Sequence, residues 1–268
     1  MNFLIKILLF LQSEMTRPTP YGWFHLLSIF LMLIVIFVLY KRRDKNSQKQ
    51  LNKVLLIYGV VAFILEVLKQ IIWSFNYDPV TFVITWDYQW YAAPFQLCTT
   101  PIYVSLLCVF VKNKKIKNAL LSYLAFITIL GSIATILIPN SCFTETILVN
   151  IHTMWLHLGS FVVSIYLLMT GSLEIKLNNL IHGFLVFLIF VFLALFLNIF
   201  IYNINILNGE TFNMFYISPY FKSELPVFDI VSETMPYVVF LIFYISVIGV
   251  GSTIIYFISK IIKKLNLK

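Results

Sequence analysis

The chain has 268 residues, of which 60% are hydrophobic and only 11% charged, with a formal net charge of +8. A soluble chain of this length would carry many more surface charges, so a soluble globular domain is excluded. The Lys and Arg do not form a binding face, so nucleic acid is not an expected partner.

At the N-terminus, residues 1–12 form a short apolar run interrupted by Lys6, with Phe3, Ile7 and Leu11 at helical spacing. The run is too short to span, and no small-residue cleavage site follows it. The spacing therefore predicts a helix lying in the membrane interface rather than a removed signal peptide. Pro18 and Pro20 then break the chain. Residues 1–20 are read as an interfacial segment and 21–268 as a single multi-span membrane domain.

A span needs about 20 mostly apolar residues to cross roughly 30 Å of hydrocarbon. Stretches near 22–40, 54–73, 92–111, 118–138, 154–173, 179–202 and 236–259 meet that length. They lack the two-residue alternation of barrel strands, so the expected fold is an all-α bundle of about seven transmembrane helices. Fifteen of the 19 Lys and Arg fall on one side of this arrangement. Lys41, Arg42, Arg43, Lys45, Lys49 and Lys53 lie between the first two spans, and Lys112, Lys114, Lys115 and Lys117 between the third and fourth. Lys176 follows the fifth span, and Lys260, Lys263, Lys264 and Lys268 end the chain. The positive-inside rule gives an outer N-terminus and a cytoplasmic C-terminus, in a multi-pass protein of the cell membrane. Trp23, Trp73, Trp86, Trp90 and Trp155 map to the outer span ends or to the loop between spans two and three, forming an aromatic outer rim.

Cys98, His25, Glu66, His152, His157 and Asn198 all map toward that same outer side. Such groups are costly in lipid surroundings, and gathering them at one depth points to a site near the outer face. A thiolate is a nucleophile, and a neighbouring imidazole can take its proton, so a Cys–His pair suits covalent acyl transfer. A carboxylate such as Glu66 can orient that imidazole, and the amides of Gln96 and Asn198 can donate to an oxyanion. The Cys and His spacing offers no zinc pattern, and neither metal nor cofactor is expected.

Plainer readings stand beside this one. Cys98 is equally a small buried hydrophobe, or half of a disulfide with Cys142, and Cys108 reads as packing. Glu66 and Lys69, three residues apart, can simply neutralise each other. If Glu66, Lys69 and the histidines line a path, the chain is a transporter or small-solute binder without covalent chemistry. A Cys98–Cys142 bridge would instead suit a seven-helix sensor. The stretch 202–235, rich in Asn and Pro but aromatic at 212–217, is expected to return to the interface and cover the outer mouth of the bundle.

Several segments resemble, in order, those of the YwaF-like integral membrane proteins and the related transmembrane protein 164 family. Tyr21-Gly22-Trp23-Phe24-His25-Leu26 is similar to the family's opening of the first span, and Glu66 through Trp73 to its Glu-basic-Trp pattern in the second. Pro94-Phe95-Gln96-Leu97-Cys98 resembles its Pro-Leu-His/Gln-Leu-Cys. Trp155-Leu156-His157-Leu158-Gly159, Asn198, Asn213-Met214-Phe215 and Met235-Pro236-Tyr237 resemble elements of its later spans. The resemblance implies a membrane acyltransferase acting on phospholipids and lysophospholipids through an acyl-thioester. Its animal members move polyunsaturated chains from phosphatidylcholine to ether lysophospholipids. Carried over, Cys98 is the nucleophile and His157 its base, with His152 the rival for that role. His25, Glu66, Gln96, Asn198 and Asn213 become supporting or substrate-binding residues.

Overall fold

The computed structural model describes residues 3–43, 47–139 and 142–265. Met1, Lys45 and Lys268 of the segments considered above lie outside them. The chain is an all-α membrane bundle, with helices α1 (Phe3–Leu11), α2 (Trp23–Lys41), α3 (Gln48–Ser74), α4 (Thr100–Phe110) and α5 (Lys114–Phe126) in its first half. Then come α6 (Thr128–Leu137), α7 (Ile147–Thr170), α8 (Leu177–Asn203), α9 (Phe228–Thr234) and α10 (Tyr237–Leu265). After α3, strands β1 (Phe75–Tyr77) and β2 (Ile84–Trp86) pair antiparallel, Phe75 opposite Trp86. Among the described residues six helical stretches are long and apolar enough to span, α5 and α6 counting as one.

Each long helix buries one stripe. On α3 it runs Leu51, Leu55, Tyr58, Ala62, Glu66, Lys69, Ile72, and on α10 Phe240, Tyr244, Ile248, Ser252, Tyr256, at the three- and four-residue steps of a helix face. α2 is apolar all round and buries only His25 and Met32, because it touches the bundle chiefly through α7. α7 is the hub, packing against α2, α3, α5 and α6. Lipid is as apolar as leucine, so these helices hold together by close packing and hydrogen bonds rather than by escape from water. Gly183 of α8 shows how close: an added Cβ would lie 2.8 Å from the Ser122 carbonyl carbon and 2.9 Å from the Tyr123 nitrogen of α5.

Two polar seams mark the bundle's ends. Lys117 donates to Asn52 at 3.1 Å and Asn118 to Asn179 at 2.6 Å, so the starts of α3, α5 and α8 meet at one end, with basic residues around them. At the opposite end Gln12 donates to the carbonyls of Ile72 (2.7 Å) and Phe75 (2.8 Å), satisfying the last turn of α3. There α1 presents Phe3, Leu4, Ile7 and Phe10 outward.

The structure departs from the expected spans in three places. The third is helical only from Thr100 to Phe110, because Pro94 and Pro101 remove backbone donors and disfavour helix before them. Residues 93–99 form a turn, which is tolerated at membrane depth only because its backbone is satisfied. Thr99 and Thr100 hydroxyls donate to the Gln96 and Leu97 carbonyls, and the Tyr103 hydroxyl donates to Pro94 at 2.6 Å. The fourth span breaks at Ile127, where Thr128 and Ser164 hydroxyls take the Leu124 carbonyl, at 2.9 and 2.6 Å, into side-chain bonds. The fifth begins at Ile147 rather than near 154, its start held by Asn150, whose amide both accepts from and donates to the Thr144 backbone at 2.9 Å.

Candidate functional site

The later start of α7 sinks its histidines. His157 lies ten residues into the helix, about 15 Å along its axis, rather than one turn in. Trp155 likewise packs inside the bundle, its indole N–H donating to the Tyr58 carbonyl at 3.3 Å instead of sitting at a span end.

At this depth the structure opens a cavity of about 470 Å³, within the range of pockets that hold small ligands (about 300–1,000 Å³). Its wall includes the 93–99 turn with Gln96 and Cys98, α6 with Thr135, α7 with His157, the loop before α9 with Tyr216, and α10 with Tyr244. Most of the remaining lining is apolar. A second cavity, about 140 Å³, lies between Ser218–Lys222 and Tyr237 and has no thiol or imidazole in its wall.

Cys98 is the second-last residue before α4, placed there by the Pro94 turn, and is a free thiol. His157 Nδ1 lies 2.9 Å from the Thr135 hydroxyl oxygen. That hydroxyl donates its hydrogen to the Gly131 carbonyl at 3.1 Å, so its oxygen accepts from Nδ1–H. The network thus assigns Nε2 as the lone-pair nitrogen of the ring. Cys142, also in the cavity wall, directs its thiol to the same Thr135 oxygen at 3.9 Å. Cys98 and Cys142 both line the cavity and are not joined by a disulfide.

His152 is placed differently. Its Nε2 pairs with Glu66 Oε2 at 2.8 Å, while Glu66 Oε1 takes Lys69 (2.7 Å) and Gln70 (2.8 Å). Lys69 and Gln70 also donate to the Ala92 carbonyl at 3.3 and 2.7 Å, and Lys69 lies 5.4 Å over the Trp73 ring. This buried cluster fastens α3 to α7 and to the backbone just ahead of the Cys98 turn. The carboxylate therefore orients His152, and the partner that orients His157 is a threonine. His25 is also apart: its Nδ1 accepts from the Tyr21 N–H at 3.3 Å, and its ring packs on Phe143.

The three amides hold a loop. Gln96 donates to the Asn213 carbonyl (3.0 Å) and accepts from Phe215 N–H (2.8 Å). Asn198 accepts from Met214 N–H (2.7 Å) and donates to the Met214 carbonyl (3.0 Å). Asn213 accepts from Ser218 N–H and donates to the Lys222 carbonyl, both at 2.8 Å. The amide donors that the sequence offers to an oxyanion are thus engaged by main chain. What they fix is a short turn, Met214–Tyr216, with Phe215 and Tyr216 at φ 59° and 57°. Two successive side-chain-bearing residues in the left-handed region persist only where their surroundings over-determine them. The aromatic loop is accordingly buried in the bundle, lining the cavity with Phe215 and Tyr216, rather than spread over its mouth.

Thr135, Tyr216 and Tyr244 are the cavity residues that sequence reasoning missed. A threonine or tyrosine within an apolar span carries no signal separating a site from ordinary packing. Among the described residues no cluster of three His, Cys, Asp or Glu is placed to hold a metal ion.

The sequence model of the TMEM164 family matches residues 19–257. No curated protein and no solved structure matches the chain.

Proposed function

Because the chain belongs to the TMEM164 family, we propose that it is a membrane-embedded acyltransferase using Cys98 and His157 through an acyl-thioester. The observation that carries the reading is the shared apolar cavity. Cys98 and His157 both line it, whereas His152 is held by Glu66 elsewhere. The donor is a phospholipid and the acceptor a lysophospholipid hydroxyl, both reaching the cavity from the bilayer. The cavity lies toward the outer face of the cell membrane, as the basic-residue bias of the opposite end supports.

In the cycle, His157 Nε2 takes the Cys98 proton as the sulfur attacks the ester carbonyl. The tetrahedral intermediate collapses, the sulfur–carbon bond stays, and the lysolipid leaves with the proton returned by His157. The acceptor hydroxyl then gives its proton to Nε2 and attacks the thioester, releasing Cys98 as thiol. Thr135 positions the ring by accepting from Nδ1–H. The N–H groups of Thr99 and Thr100, at the start of α4, are already taken by the Gln96 carbonyl.

The test is purified protein incubated with phospholipid carrying a labelled acyl chain. Hydroxylamine-sensitive label is expected on wild type and absent from Cys98→Ala and His157→Ala, with His152→Ala retaining reactivity in whatever fraction stays folded. Thiol alkylation abolishes the label. Absence of label from wild type whose Cys98 is free and alkylatable refutes the reading.

A further inference from the structure

Among the described residues that line the cavity, most hydroxyl donors are already committed. Thr128 and Thr135 donate to main-chain carbonyls, Ser132 donates to the Thr128 carbonyl, and Ser160 donates to the Thr128 hydroxyl. With Gln96 and Asn198 engaged as well, an oxyanion formed at Cys98 has neither of these side-chain amides to receive it.

Tyr244 carries a fully buried hydroxyl that is not committed. It is 1% exposed, its ring lies against Phe187, Phe228 and Phe240, and it lines the cavity that holds Cys98. Its hydroxyl has no hydrogen-bond partner. Buried tyrosines ordinarily find one, and several here do. Tyr58 donates to Leu156, Tyr103 to Pro94, Tyr237 to Ile217, and Tyr123 meets Thr100. A buried donor left unmade is unfavourable, and a native structure keeps one where something other than folding uses it.

We propose that the Tyr244 hydroxyl is a catalytic residue, the donor that binds the acyl carbonyl oxygen and the oxyanion derived from it. The inference rests on the acyl-transfer reading. As Cys98 Sγ bonds to the carbonyl carbon, the carbonyl π pair moves onto oxygen, and the Tyr244 O–H donates a hydrogen bond to that oxygen. The tyrosine proton is not transferred. When the carbonyl re-forms, the leaving alkoxide departs with the proton from His157. A preorganised donor in a water-poor cavity suits this role, because it needs no reorganisation as charge develops.

Tyr244→Phe keeps the ring and removes only the hydroxyl. Loss of one oxyanion donor is expected to slow Cys98 acylation about 10²- to 10³-fold with little change in the lipid concentration needed for half-maximal rate. The thermal midpoint is expected to stay level or rise, since no bond is broken. A fatty-acyl trifluoromethyl ketone, which adds reversibly to the Cys98 thiol and carries its own tetrahedral oxyanion, is expected to bind Tyr244→Phe at least tenfold more weakly. A wild-type acylation rate in Tyr244→Phe overturns the assignment and leaves the acyltransferase reading intact. A lowered midpoint with activity lost in proportion to folded protein assigns the hydroxyl to structure and also overturns it. No acyl label and no ketone binding in the wild type, with Cys98 alkylatable, refutes the acyl-transfer reading and this one with it.

Discussion

Replacing Gln96 by Met keeps length and volume but removes both hydrogen bonds joining the Cys98 turn to the buried loop, 3.0 Å to the Asn213 carbonyl and 2.8 Å from Phe215 N–H. Phe215 is fully buried, so the orphaned groups gain no water in exchange. Each costs about 1–3 kcal/mol when left unmade, giving about 2–6 kcal/mol for the pair. The loop also stores strain at Phe215 and Tyr216, about 1–3 kcal/mol each, which is released on opening and favours local opening over a strained native state. The assay is amide hydrogen exchange in detergent, read at Met214 and Ser218. Their amides bond to Asn198 and Asn213 side chains, at 2.7 and 2.8 Å, so the substitution touches neither bond directly. A local opening easier by about 3 kcal/mol speeds exchange at both by on the order of 10²-fold, while mid-α8 amides keep their protection. Unchanged exchange at Met214 and Ser218 would show that Gln96 does not hold the loop and would refute the reasoning.

Other consequences can be checked in the same preparations. Glu66→Gln strands a buried Lys69 ammonium and is expected to cost about 3–5 kcal/mol in denaturant titration. The double variant Glu66→Gln/Lys69→Met should recover at least half of that loss, and no recovery would sink the pairing. Gly183→Ala drives a Cβ into the α5 backbone and should lower stability by about 1–3 kcal/mol. Gly131→Ala, where nothing lies within 4 Å, should be neutral or raise stability by about 0.5–1 kcal/mol; equal losses at the two glycines would contradict the packing argument. Val227 is a β-branched residue at φ 73° and exposed, so Val227→Gly should stabilise by about 0.5–1 kcal/mol, and a lowered midpoint would disprove the strain.

The long spans were readable because an apolar run of about 20 residues reports immersion in hydrocarbon, and a helix is the form such a run adopts there. What the run does not report is where the helix yields. Pro94 and Pro101 were visible in the third span, yet hydropathy alone joined them to Thr100–Phe110. At Ile127 there is neither proline nor glycine, and the break depends on hydroxyls of Thr128 and Ser164 arriving from two helices. The two histidines of α7 were equivalent in sequence. Only the packing of α3 beside α7, which brings Glu66 to His152, and of α6, which brings Thr135 to His157, separates them. Gln96, Asn198 and Asn213 were singled out as polar residues in apolar surroundings, but their bonds reach 16 to 119 residues along the chain or close tight local loops, distances that local pattern does not encode.

The shortness of α4 fixes a ruler. Its 11 residues rise about 16 Å, roughly half of a 30 Å hydrocarbon core, between the basic connection at Lys112 and the turn that carries Cys98. The thiol is thereby tied to one membrane plane by a rigid strut and to the other only through irregular chain. In a thicker bilayer its depth below the basic-side headgroups stays constant while the opposite headgroups recede. If the proposed acyl transfer holds, a glycerol backbone arriving from that opposite leaflet needs local thinning to reach the sulfur, so acyl-chain length and sterol content of the surrounding lipid become determinants of access.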